Sequence, residues 1–184
     1  MRALTAAAGV NLAAVNYHFR SKEGLLDALF ARRLDPMNRE RLAMLDEVLA
    51  SAGDQPPDLE RVIRALVWPP LRLWHDRETD GARFIRLLGR IHSEPGPEVR
   101  GMLTRYFDQV EKRFTEAIAR CLPGSAPADR IWGAIFTIGA MAHSVCIAEQ
   151  LAPRYPILQQ HDPEGLCRRL VNYTTAGLRA IAQA

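Results

Sequence analysis

Residues 9–26 read GVNLAAVNYHFRSKEGLL and hold three helix boundaries in a row. Leu4 to Ala8 predicts a short helix that Gly9 closes, because glycine tolerates the left-handed backbone, and Asn11 stands ready to cap the next helix. Val10 and Val15 occupy the N′ and N4 positions of a hydrophobic staple. Ser21 then caps a third helix. Two short helices about a glycine turn form a helix-turn-helix. In the second of them Val15 and Phe19 are four apart and face inward together, which leaves Asn16, Tyr17 and His18, with Leu12 and Ala13 at the start, to face outward.

That outward set has the chemistry of a DNA-reading helix. The major groove admits a helix whose first residues meet base edges. Asn16 can bond bidentately to adenine, and Leu12 and Ala13 can pack on thymine methyl groups. Tyr17 and His18 offer donors to phosphate oxygens, which fix register rather than sequence. The N–H groups behind Ser21, with Lys22, make a seat for a further phosphate.

The chain around this stretch has 184 residues and a net charge of +3. Between Met1 and Asp35 stand five Arg and Lys against three Asp and Glu, an uneven placement that hints at an anionic partner, although charge alone fits an ordinary solvated surface better. Helical periodicity dominates throughout and predicts an all-α fold of about nine helices. Breakers fall at Gly9, Arg20-Ser21, Asp35-Pro36, Gly53 to Pro57, Asp76 to Asp80, Glu94 to Pro97, Pro123 to Pro127 and Pro153 to Pro163. They divide the chain into a helix-turn-helix region with its connecting helix, 1–34, and a helical bundle, 35–184. Residues 131–147, IWGAIFTIGAMAHSVCI, reach the short end of the ~17–25 residues that span a bilayer. Thr137, His143 and Ser144 interrupt the run, so a buried helix at a bundle seam or subunit interface is expected rather than a membrane span. Asp162 and Pro163 are expected to start the last helix.

Cys121, Cys146 and Cys167 are odd in number and widely spaced, which predicts neither a disulfide framework nor a zinc site. The N-terminus has no signal-peptide pattern, and a reducing cytoplasm fits best. The histidines at 18, 75, 92, 143 and 161 never form H-x-x-x-H or E-x-x-H, and neither G-x-S-x-G nor a phosphate-cradling glycine loop occurs. No enzyme, metal or cofactor is therefore expected.

The run G-V-N-L-A-A-V-N-Y-H-F-x-S-K-E-G-L-L resembles the DNA-binding signature of the tetracycline-repressor family of bacterial transcriptional regulators. Its N-L-A-A-V-N-Y-H-F wording, with F-I-R-L-L-G-R at 84–90, is most similar to the fatty-acid-responsive branch. The resemblance implies that Arg2, Asn11, Leu12, Ala13 and Asn16 meet bases, and that Tyr17, His18 and Lys22 meet the DNA backbone. Ala14 departs from it, since the family often has Ser or Thr there to reach a phosphate. It also implies a helix before the position of Met1 that packs on the motif's inner face. Its absence here has three readings: a start codon assigned too far downstream, which we favour, a truncation, or a true variant.

The family likeness further implies an effector domain whose middle helices enclose an apolar pocket. Trp68, Phe84, Leu88, His92, Tyr106, Phe136, Thr137 and His143 are the candidates for its lining. The last two long helices are expected to form a homodimer that sets two reading helices about one helical turn apart on a palindromic operator. A ligand-responsive regulator, released from DNA by a small apolar effector, is the leading expectation. The alternative is a dimeric small-molecule-binding protein that no longer binds DNA.

Overall fold

Local capping signals set most of the helix boundaries. The computed structural model describes residues 2–76, 79–93, 97–159 and 162–183. Its helices are α1 (Arg2–Ala8), α2 (Leu12–Phe19), α3 (Lys22–Ala52), α4 (Leu59–His75), α5 (Gly81–Ser93), α6 (Pro97–Cys121), α7 (Pro127–Leu151) and α8 (Pro163–Ile181), with a 3-10 turn at Pro156–Gln159. No strand occurs among the described residues, so the all-α expectation holds, with eight α-helices where about nine were predicted.

Asp58 shows how a cap acts: its carboxylate accepts the N–H groups of Glu60 at 2.8 Å and Arg61 at 3.3 Å, and α4 begins there. Asp162 stands at the N-cap position of α8 and Pro163 at its first turn, but the Asp162 side chain bonds no N–H of that turn. Its carboxylate lies over Gly165 instead, where a Cβ would come within 2.1 Å of it.

Asp35-Pro36 is a predicted breaker that does not break. α3 passes through it and runs for 31 residues. Pro36 is exposed, so the Arg32 carbonyl that loses its donor can turn to water. The helix is held on the other face by one stripe, Phe30, Leu34, Met37, Leu45 and Val48, all buried. The expected division between residues 34 and 35 thus falls inside a continuous helix.

α4 is the centre of the bundle, packed against α3, α5, α6, α7 and α8. Leu59, Val62, Ile63, Leu66, Val67, Leu71 and Trp74 are all buried on it. Each large apolar side chain buried this way contributes about 1.5–3 kcal/mol. α1 and α2 sit at one end, where α2 packs on the start of α3.

α7 differs from the buried helix that its composition predicts. Its span Pro127–Ala148 is long and apolar enough to cross a membrane, yet only 22% of that window is buried. The inner face packs on α8 so closely that a Cβ on Gly133 would meet Leu178 Cδ2 at 2.1 Å. The outer face is bare: Ile131, Trp132, Ile135 and Phe136 are each 50–55% exposed. An intramolecular core cannot cover a helix that stands at the edge of the bundle.

Candidate nucleic-acid interface

The sharp turns around α2 are built by the residues the sequence marks. Gly9 has φ +64, and the N–H of Val10 reaches back to the Thr5 carbonyl at 3.0 Å. Asn11 Oδ1 accepts the Ala13 N–H at 2.8 Å, which leaves the amide NH2 of this exposed residue to the outside. At the far end Arg20 takes φ +61 and donates its N–H to the Asn16 carbonyl at 2.9 Å. Ser21 Oγ accepts from Gly24 N at 3.1 Å. Gly24 has to lack a side chain, because a Cβ there would stand 2.1 Å from the Phe19 carbonyl oxygen. α2 therefore meets α3 at a fixed, close angle.

No residue of α2 is buried. Val15 and Phe19 are half-buried and turn toward the inner side, as their spacing predicts. Leu12 is half-buried as well; at i−3 from Val15 and i−7 from Phe19 it shares their stripe, so it is turned further inward than the outward placement expected of it. Ala13, Asn16, Tyr17 and His18 are exposed, as is Arg2 on α1. Tyr17 is 83% exposed, with its ring edge-on to His18 at 5.4 Å between centroids. Lys22 is exposed in the first turn of α3. Beside it, a backbone N–H and then the Ser21 hydroxyl hold the Glu23 carboxyl below its usual range.

The described effector candidates are spread over α4, α5, α6 and α7. Phe84 on α5 is buried, with its ring 6.4 Å from Phe30, and Leu88 is half-buried. Trp68 on α4 is half-buried beneath the Arg64 guanidinium, 5.0 Å from its ring centre. Thr137 is buried, but its hydroxyl donates back to the Gly133 carbonyl at 2.7 Å. Phe136 stacks on Trp132 on the bare face of α7, where His143 is exposed too. The His92 side chain lies outside the described residues.

Tyr106 borders a cleft of about 400 Å³ between α3 and α6. Its walls are mixed, with Asp27, Asp35, Asn38, Arg39 and Arg105 beside Leu42 and Val110. Tyr106 Oη donates to Asp27, whose carbonyl lies at 3.0 Å and whose Oδ1 lies at 3.2 Å; Arg105 reaches the same Oδ1 at 3.2 Å. Burial, then Asp27, push the Tyr106 hydroxyl pKa up.

Sequence reasoning missed Arg41. It is 3% exposed, donates through Nε to the Leu66 carbonyl at 2.8 Å and through Nη1 to Asn38 Oδ1 at 3.2 Å, and burial lowers its pKa to about 10. The signal that could have found it is Pro69-Pro70 inside an apolar helix, since such a pair frees carbonyls that need donors from elsewhere. No group of three metal-ligating side chains occurs among the described residues.

Two family models match this chain. Residues 1–29 match the model for bacterial regulatory proteins of the tetR family, and residues 64–177, more than half of the chain, match the tetracyclin repressor-like C-terminal domain. No curated protein matches it.

Proposed function

This chain belongs to the tetR family of bacterial regulatory proteins, and we propose that it acts as a dimeric repressor that leaves a palindromic operator when a small apolar effector binds. Its two matched regions are those of a ligand-responsive transcriptional regulator with a helix-turn-helix. The observation that carries the proposal is α2 itself. Asn11 and Arg20 close its two ends, while Ala13, Asn16, Tyr17 and His18 stand exposed between them. An exposed tyrosine beside an amide and a histidine suits a groove rather than bulk water.

In this reading Asn16 and Ala13 meet base edges, with Arg2, Asn11 and Leu12 alongside them. Tyr17, His18 and Lys22 bind phosphates, the last at the α3 N-terminus. The partner is a second copy, docked through the exposed faces of α7 and α8, where Trp132 and Phe136 on α7 are each 55% exposed and Tyr173 on α8 is 73% exposed. That occupant also accounts for the apolar α7 without a membrane, and a cytoplasmic location belongs to the same proposal. The effector enters among α4, α5 and α6, near Trp68, Phe84, Leu88 and Tyr106. The protein regulates; it does not catalyse.

Capture of genomic fragments by the purified protein tests this. Recovered fragments are expected to share an inverted repeat with half-sites about one helical turn apart. Fragments without a common motif would overturn the proposal in favour of a ligand-binding protein that does not read DNA.

A further inference from the structure

We propose that Arg41 is a positioning residue for DNA recognition, tying the break that Pro70 leaves in the hydrogen-bond ladder of α4 to the turn of α3 that carries the reading head. The inference rests on the proposed reading of this chain as a dimeric DNA-binding protein.

In an unbroken helix the N–H of residue 70 would bond to the Leu66 carbonyl, and Pro70 has none. Arg41 Nε supplies the missing donor from α3, 2.8 Å away. A neutral amide could do as much. The chain instead buries a guanidinium that no carboxylate among the described residues pairs with, at a desolvation cost that a carbonyl alone does not require. The fork of the guanidinium gives it a second reach, from Nη1 to Asn38 Oδ1. Asn38 Nδ2 then donates to the Tyr106 carbonyl at 2.8 Å, and so fixes the backbone of α6 at Tyr106.

Tyr106 and Arg105 both hold Asp27, and the Tyr106 ring meets Phe30 edge-on at 6.1 Å. Asp27 lies only five residues beyond Lys22, near the start of α3, the helix against which α2 packs. A continuous set of bonds thus runs from the break in the central helix to the base of the head. Movement of the α4 wall at Leu66 shifts Arg41, and the shift arrives at Asp27.

Two measurements test this. The first is a thermal-stability cycle of Arg41→Met, Pro70→Ala and the double variant. Pro70→Ala returns a backbone N–H to the Leu66 carbonyl, so the fall in Tm caused by Arg41→Met is expected to shrink by at least half in that background. Additive falls would overturn the link between Arg41 and the break. The second uses operator duplexes whose half-sites are moved apart one base pair at a time. The unaltered dimer should prefer one spacing, and Arg41→Met and the milder Tyr106→Phe should each flatten that preference by about tenfold, within the range of site-to-site couplings. The affinity of Arg41→Met for a single half-site should stay unchanged.

A spacing profile identical to that of the unaltered protein would overturn the proposal, since a purely structural strut would alter Tm alone. Absence of operator binding by the unaltered protein would overturn the DNA reading and the role of Arg41 in it, while the stability cycle would still decide whether the strut exists.

Discussion

Asn16 is exposed on α2 with a side chain that can pair with one base, whereas Lys22 can offer only charge to a phosphate. Their variants should therefore fail differently. Asn16→Ala is expected to weaken operator binding by about 1–3 kcal/mol and to relax discrimination at one position, while Lys22→Ala lowers affinity evenly and reduces the salt slope by about one. Titrations against the operator and single-base variants over a range of salt check both. Gly9→Ala offers a cleaner case. Nothing lies within 4 Å of the added Cβ, so its effect is backbone strain at φ +64 alone, about 1 kcal/mol, read as a lower Tm. Gly9, Asn11 and Ser21 were legible in the sequence because each signal is spelled within a few residues. Arg41, Asn38 and Asp27 were not, because their roles exist only once three helices meet. Leu12 fell between, exposed by residue type yet turned inward by its place in the stripe with Val15 and Phe19.

At the scale of elements, helices end where a cap or breaker has no tertiary opposition. Pro36 loses to the buried stripe of α3, and Pro69-Pro70 to the surroundings of α4. α4 and α8 are clamped by Arg64, which donates to both Glu164 carboxylate oxygens at 2.7 and 3.0 Å. That hydrogen bond, chiefly, holds the Glu164 carboxyl below its usual value. A group whose pKa falls on folding adds stability that is complete above its unfolded value, about 4.5, and lost as pH drops through the folded one. Glu164→Gln should therefore melt lower than the unaltered protein at pH 7, and the gap should narrow toward pH 3. A constant gap would mean that the carboxylate charge is not what joins the helices. The apolar run of α7 gave its helix away in the sequence but not its surroundings, since composition alone does not distinguish a core helix from one with an exposed apolar face.

For the whole molecule, the two bare aromatics of α7 are the test of assembly. Trp132→Glu places a charge in the middle of the face that Phe136 and Ile135 share, and a charge buried without a partner prevents docking. The variant should sediment as a monomer and lose roughly a hundredfold or more in operator affinity, because the two heads no longer bind as one unit. A helix-turn-helix ahead of a helical bundle is what the sequence led one to expect, and α3 runs unbroken from one into the other. The effector candidates were chosen by residue type, and type does not fix facing: Phe136 and Thr137 are adjacent in the chain, yet the first is exposed and the second buried.

The most direct test is a fluorescence titration of the purified protein against a palindromic duplex from the DNA beside its own gene, with a scrambled duplex of equal length as reference. The account predicts two chains per duplex, affinity falling steeply with salt, and a preference for the palindrome of about a thousandfold or more. Equal affinity for the two duplexes at every salt concentration would contradict it.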